Sequence, residues 1–466
     1  MKNKQQEFFH TTQTTEDFLL YKTDEKPPEV PGKSVPENSA EFFSLHFPGV
    51  QSGKAFVDSA LAQLSQSPRF GVMGVKLDDH PESGSLPEPE ELLKFLNLLS
   101  SFCQRENGLW GQLEPTLFIC FLPDKNAEDT RTIATEFQKA LLEISSQTLT
   151  LGIAAFPFME YQRKDMVENA LKALDHAFFF GAGAVVAFDA VSLNISGDHY
   201  YQRGNIEAAI AEFKSALKMD AGNVNVLNSM GVCFAVMGDF SAALDYFKAA
   251  GKEDPLEVMA WYNTALVYKL KGDKQKALKY FLKTDAIQND VFEVVFQTGK
   301  IYFEMGDQDT GKKYYARALD LAMETPAPSR FIGDCYAGLG VRDQAVKAYQ
   351  KAIKENPNDA HALSALGALY DTQGENPEIA AVFCRQSVDI APGNSLFRRR
   401  LGLLHLKQNR FNEALKEFKT ADNLDQSDAE PIPGKKERKP KSINGRGEKN
   451  PKKPKKKSPV KSAVHG

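Results

Sequence analysis

Between residues 45 and 188 the spacing of apolar positions keeps changing. Helical spacing over 54–64 gives way to an unbroken apolar run at 70–77, then to a Pro/Ser loop and helical spacing again over 88–104. Two apolar runs flanking Gly-Gln-Leu-Glu-Pro at 111–115 predict a β-hairpin over 108–122. A helix at 127–145, a strand at 148–155, a helix at 164–180 and a strand at 184–188 follow. One sheet with helices packed on it, an α+β domain, is the economical reading.

From 190 onward the strands stop and a period appears. Gly197, Gly231, Ala265, Gly299, Gly333, Gly367 and Gly402 are spaced 34, 34, 34, 34, 34 and 35 apart. An aromatic or His follows each by three residues, and a turn Gly (Asn409 in the last unit) comes four later. A second small residue, such as Ala209, Ala243 or Gly311, then opens the packing face of another helix. Two helices cross closely only where the side chains between them are small, so the small residue marks a crossing, and the aromatic is expected to fill the adjoining gap. Gly supplies the tight turn. Pro255, Pro357 and Pro392 close three units, because proline cannot continue a helix. Repeat six carries one extra residue at GENPEIA, where Pro377 is expected to lengthen the turn.

These residues resemble the tetratricopeptide repeat, in seven copies: 190–223, 224–257, 258–291, 292–325, 326–359, 360–394 and 395–428. The resemblance implies an all-α superhelical solenoid with a concave groove lined by the first helix of each unit. By family pattern the second, fifth, sixth and ninth positions of each repeat face that groove. The candidates are Asn194, Asn225, Asn228, Tyr262, Asn263, Phe296, Lys300, Arg330, His361, Ser364, Arg399 and Arg400. Asparagine suits a peptide because it bonds both an amide N–H and a carbonyl, and Arg399 and Arg400 suit an acidic side chain or a terminal carboxylate. The Lys/Asn carboxylate clamp of some family members is not reproduced.

The region before the repeats resembles the GGDEF (diguanylate cyclase) domain in the order of its parts. FPGVQSGKAF at 47–56 resembles the opening LTGLxNRRxF element, keeping Gly49 and Phe56. The strand at 70–77 with Asp78, Asp79 and His80 resembles the metal-binding first strand, and residues 111–115 occupy the signature hairpin. TLGIAA at 150–155 matches the SIGIA strand, and ALKALDHA at 170–177 with Gly181 matches the late helix in its small residues. What survives is architectural: Gly49, Gly111, Gly152, Ala170, Ala173, Ala177 and Gly181. What is lost is chemical. Gln112 replaces the second signature glycine, Leu113 and Glu114 stand for the acidic pair, Lys76 for an aspartate, and Phe178 for the late lysine. The product-inhibition motif expected at 102–105 is absent. Asp78, Asp79, Gly111 and Glu114 are the remnants, too few to hold two metals. A degenerate domain without catalytic residues, metal or cofactor is therefore expected, and the protein is not expected to be an enzyme. A nucleotide or cyclic-dinucleotide sensor, or residual cyclase activity, stays open as the alternative.

Composition adds compartment and charge. No apolar stretch has the length of a membrane span, and the longest, residues 177–188, suits a helix end running into a buried strand. Five scattered cysteines without a CxxC pair point to a reducing, cytoplasmic setting, which the family resemblance makes bacterial. The net charge of −4 hides a tail, 429–466, with 13 Lys/Arg, 3 Asp/Glu and six prolines. That composition predicts disorder and permits nonspecific contact with an anionic partner, nucleic acid or acidic protein, but it has no aromatic for base stacking. Residues 1–40 are also polar and read as disordered. No GxxxxGK[ST], HExxH or GxSxG motif occurs. His176 beside Asp175 makes a poor dyad, since neighbours on a helix point apart.

The expected organisation is thus 1–40 disordered, 41–189 a GGDEF-like α+β domain, 190–428 repeats, and 429–466 a Lys/Pro-rich tail. The expected function is a non-catalytic signalling scaffold whose groove binds a peptide segment of a protein partner.

Overall fold

The computed structural model describes residues 47, 50–78, 89–324, 327–373 and 377–428. The expectations for 1–40 and 429–466, and the roles given to Gly49, Asp79, His80 and the turn at Gly374, lie outside these residues. The described residues form two compact units that divide between Lys351 and Ala352.

In the first unit, helix α1 (Gly53–Gln63) precedes strand β1 (Phe70–Leu77), and α2 (Pro89–Arg105) leads into the hairpin β2 (Leu109–Glu114) and β3 (Leu117–Pro123). Then come α3 (Ala127–Ile144), β4 (Leu149–Phe156), α4 (Asp165–Phe178) and β5 (Val185–Ala187). The sheet order is β2-β3-β1-β4-β5, with β1 antiparallel to both neighbours and β4–β5 parallel.

Alternation along β1 divides two cores. Met73, Val75 and Leu77 face α2 and α3 with Phe95, Phe118 and Phe137. Phe70 and Val72 face α1 and α4 with Phe56, Met166 and Ala170. Helix α4 lies so close that a Cβ at Gly152 would meet Ala170 O and Leu174 N, each at 2.2 Å. Ala170, Ala173 and Ala177 are fully buried along that contact, so the small residues of the late helix serve packing.

The second core does not stop at the sheet. It continues through Phe188, Ala190 and Leu193 into Phe213, Val226 and Met230. Lys172 of α4 bonds Glu212 of the second repeat helix at 2.8 Å across the same boundary.

Helix pairs follow: α5 (Ala190–Gln202) with α6 (Ile206–Met219), α7 (Val224–Val236) with α8 (Phe240–Glu253), and α9 (Val258–Leu270) with α10 (Lys274–Ile287). Next are α11 (Phe292–Glu304) with α12 (Gln308–Glu324), and α13 (Ser329–Leu339) with α14 (Arg342–Glu355). The second unit contains α15 (Ala360–Gln373), α16 (Pro377–Ile390), α17 (Ser395–Lys407) and α18 (Phe411–Asp428). Pro377 opens α16, the first-turn position where its missing N–H costs nothing.

The turn chemistry is local. Gly204, Gly238, Gly272 and Gly306 take φ between 73° and 91°, and the next residue caps the second helix. Asn205, Asp239, Asp273 and Asp307 each accept a backbone N–H three residues on, at 3.0–3.1 Å.

The crossing differs from the sequence reading. A Cβ at Gly197, Gly231 or Gly299 would strike Phe213, Phe247 or Tyr315 of the second helix at 2.3, 2.5 or 2.7 Å. It is this later ring, not the aromatic three residues on, that fills the space over the small residue. The nearer aromatic stacks on a different ring of the second helix: Phe234 on Tyr246 at 5.4 Å, Tyr268 on Tyr280 at 5.5 Å. Residues three apart share one face of a helix, so the small residue and the aromatic both meet the second helix, each at its own ring.

Candidate functional site

The first helices of successive repeats are tied by side chains along one row. Asn194 Nδ2 donates to Asp198 Oδ2 at 3.3 Å within α5, and Ser229 Oγ of α7 donates to Asp198 Oδ1 at 3.4 Å. Asn263 Nδ2 of α9 donates to Asn228 Oδ1 of α7 at 3.0 Å. Lys269 Nζ of α9 reaches Gln297 Oε1 of α11 at 2.7 Å. Asn225 is exposed at the start of α7.

Four expected groove residues are not on an open surface, the fully buried Ser364 among them. Tyr262 is 2% exposed, its ring 5.8 Å from Phe281. Phe296 is fully buried between Tyr315 at 5.7 Å and Phe331 at 4.7 Å. Asn263 is fully buried beneath Asn228. Large rings at the fifth position are covered by the second helix of their own repeat and, at Phe296, by the next repeat as well, so the aromatics assigned to ligand contact belong to the core. Lys300 and Arg330 lie over aromatic rings instead, at 5.8 Å from Phe296 and 4.5 Å from Phe331.

In the second unit the two arginines already have partners. Arg400 Nη1 donates to Ser364 Oγ at 3.0 Å, and Arg399 pairs with Asp422 at 3.2 Å and with Asp425. Arg399 thus meets two carboxylates of its own chain, while Arg400 meets a hydroxyl. His361 meets Phe397 edge-on at 6.3 Å.

Sequence reasoning passed over Asp198, although it holds the ninth position of repeat one. The carboxyl is held up at about 7 by burial, which the Ser229 hydroxyl only partly offsets. The same burial, with Asp198 nearby, pushes the Cys233 thiol up to about 12. All five cysteines are buried and unpaired with one another as disulfides.

At the hairpin the expected remnants do structural work. Asp78 Oδ1 accepts from Thr150 Oγ1 at 2.6 Å and Oδ2 from the Gly183 N–H at 3.0 Å, while Gln147 bonds its carbonyl. A Cβ at Gly111 would meet the Phe56 ring at 2.4 Å, so that glycine admits a side chain of this protein. Gln112 Nε2 closes on Pro115 O at 3.3 Å, Lys76 Nζ bonds Thr116 Oγ1 at 2.5 Å, and Glu114 is exposed at the strand end. Among the described residues no three His, Cys, Asp or Glu side chains are grouped to hold a metal.

His176 meets Asp189 Oδ1 and Ser192 Oγ, both at 3.3 Å and both through Nδ1. A Ser-His-Asp relay needs one partner on each ring nitrogen, so this trio packs the start of α5. Among the described residues no helix is long and apolar enough to cross a membrane.

Family models of the tetratricopeptide repeat match residues 197–238, 234–290, 292–323, 332–359 and 348–380. These residues carry tetratricopeptide repeats. Among solved structures, the chain is similar to a tetratricopeptide repeat protein from Parabacteroides merdae (17% identity, 50% of this chain and 93% of that one, TM-score 0.40). It is also similar to pilF of Pseudomonas aeruginosa (18%, 45% and 95%, 0.38) and a thermophilic repeat protein of Thermus thermophilus (20%, 39% and 98%, 0.33). No curated protein matches the chain significantly.

Proposed function

We propose that the chain is a non-catalytic protein-interaction scaffold in which the first helices of repeats one to five hold an extended segment of a protein partner. The observation that carries this reading is the row of facing polar side chains: Asn194 and Asp198 on α5, Asn228 and Ser229 on α7, Asn263 on α9. Amides in such a row suit a peptide backbone, since each offers a donor and an acceptor. The full chain and its Asn225→Ala/Asn228→Ala variant, each immobilised in the same lysate, test it. The variant is expected to lose captured partners while keeping its helical circular dichroism. Equal recovery of the same partners would sink the groove assignment.

On the same reading, the α+β region is a GGDEF-type domain that has lost its chemistry and covers the start of the repeats, in a bacterial cytoplasmic signalling protein. Supporting this, Asp78, which the family resemblance assigns to metal, here accepts from the Thr150 hydroxyl and the Gly183 N–H. Calorimetric titration with GTP and with cyclic di-GMP in magnesium is expected to give no binding heat. Micromolar binding of either would favour a nucleotide sensor instead.

A further inference from the structure

We propose that the groove end formed by repeats one and two is a subsite for a basic side chain, lysine or arginine, of the partner segment. The inference rests on the groove reading above and gives it a chemical specificity.

Asp198 is half-buried between α5 and α7. Its two oxygens receive only an amide at 3.3 Å and a hydroxyl at 3.4 Å, long and uncharged donors for a carboxylate. Among the described residues no lysine, arginine or histidine pairs with it. A carboxylate drawn out of water without a cation is costly, and the protein leaves that cost standing. The position at about 7 is the same unmet charge seen as proton affinity.

The uncommitted groups around it are of one kind. Asn194 Oδ1, beside Asp198 on the same helix, is buried without a partner. Together with the Asp198 oxygens it is a surplus acceptor. An ammonium brings three donors and a guanidinium five, whereas an acidic or apolar side chain would leave every acceptor unpaired. Further along the row the sign reverses at Lys300 on α11 and Arg330 on α13. A segment held there would be basic at the repeat-one end only.

Selection from a random-peptide library on the full chain, and on its Asp198→Asn and Asp198→Lys variants, tests the proposal. Peptides enriched on the parent are expected to share a lysine or arginine at one aligned position. Their binding should weaken roughly tenfold or more on Asp198→Asn, the loss of one charge-assisted contact. Asp198→Lys should enrich aspartate or glutamate at that position. Peptides enriched without a basic position, or an equal basic preference on Asp198→Asn, would overturn the subsite while leaving the groove. Failure to enrich any peptide would overturn the groove reading and the subsite with it. Asp198→Asn keeps the shape of the side chain, so it decides the matter even where the lysine variant does not fold.

Discussion

At Asp198 a carboxyl that titrates near 3.8 in an open chain is held at about 7 between α5 and α7, with Tyr201 of its own helix and Cys233 of α7 beside it. Below pH 4 both folded and unfolded chains carry the proton. As pH rises toward 7 the unfolded chain releases it first, so stability that is full below about pH 4 is lost through the folded value. Asp198→Asn removes that dependence. Its urea midpoint is expected to equal the parent's near pH 4 and to exceed it at pH 8 by roughly 1–3 kcal/mol in stability. Equal midpoints at both pH values would mean the carboxyl is well solvated. The sequence showed this residue's register but not its state. Nothing in GDHYYQ (197–202) says that Ser229 and Cys233 will come to lie beside the carboxyl. The opposite holds at Gly231: its small size was legible as a crossing, yet the ring above it proved to be Phe247, sixteen residues on, because only the folded pair brings them together.

Elements were the most legible scale, since their causes lie within a few residues. Strand β1 occupies the residues expected of it, Phe70–Leu77, and the hairpin, helices and β4 shift only at their ends. The Gly-Asn and Gly-Asp pairs that open second helices act on their own backbone, so they read directly from sequence. The α4–α6 tie was not legible. Lys172 is raised: burial opposes its charge, but Glu212 and Glu168 outweigh it with bonds of 2.8 and 2.9 Å. Lys172→Met strands Glu212 beside the shared core and is expected to cost about 2–3 kcal/mol. Adding Glu212→Gln should recover at least half of that in a denaturation double-mutant cycle. Additive losses would show that the two side chains do not depend on each other.

For the whole first unit, the α+β region and repeat one are parts of a single hydrophobic interior. A solenoid end needs something to cover its apolar side, and here the sheet's helix α4 lies against α5 and α6. Residues 190–428 expressed alone are expected to unfold at lower temperature than the full chain and to bind a hydrophobic dye. An unchanged melting temperature with no dye binding would mean that the two parts are merely tethered.

By itself the sequence determined the period, the helix pairs, the turn glycines with their caps, and the order of strands and helices before residue 190. Each depends on local backbone preference or on spacing along one element. Tertiary structure alone decided which marked positions are open. Tyr262 and Phe296 are covered and Asp198 is held without a cation, because burial is set by side chains on other helices. It also decided that Asp78 answers to Thr150 and Gly183, 72 and 105 residues distant, where a hydrogen bond has no sequence signal.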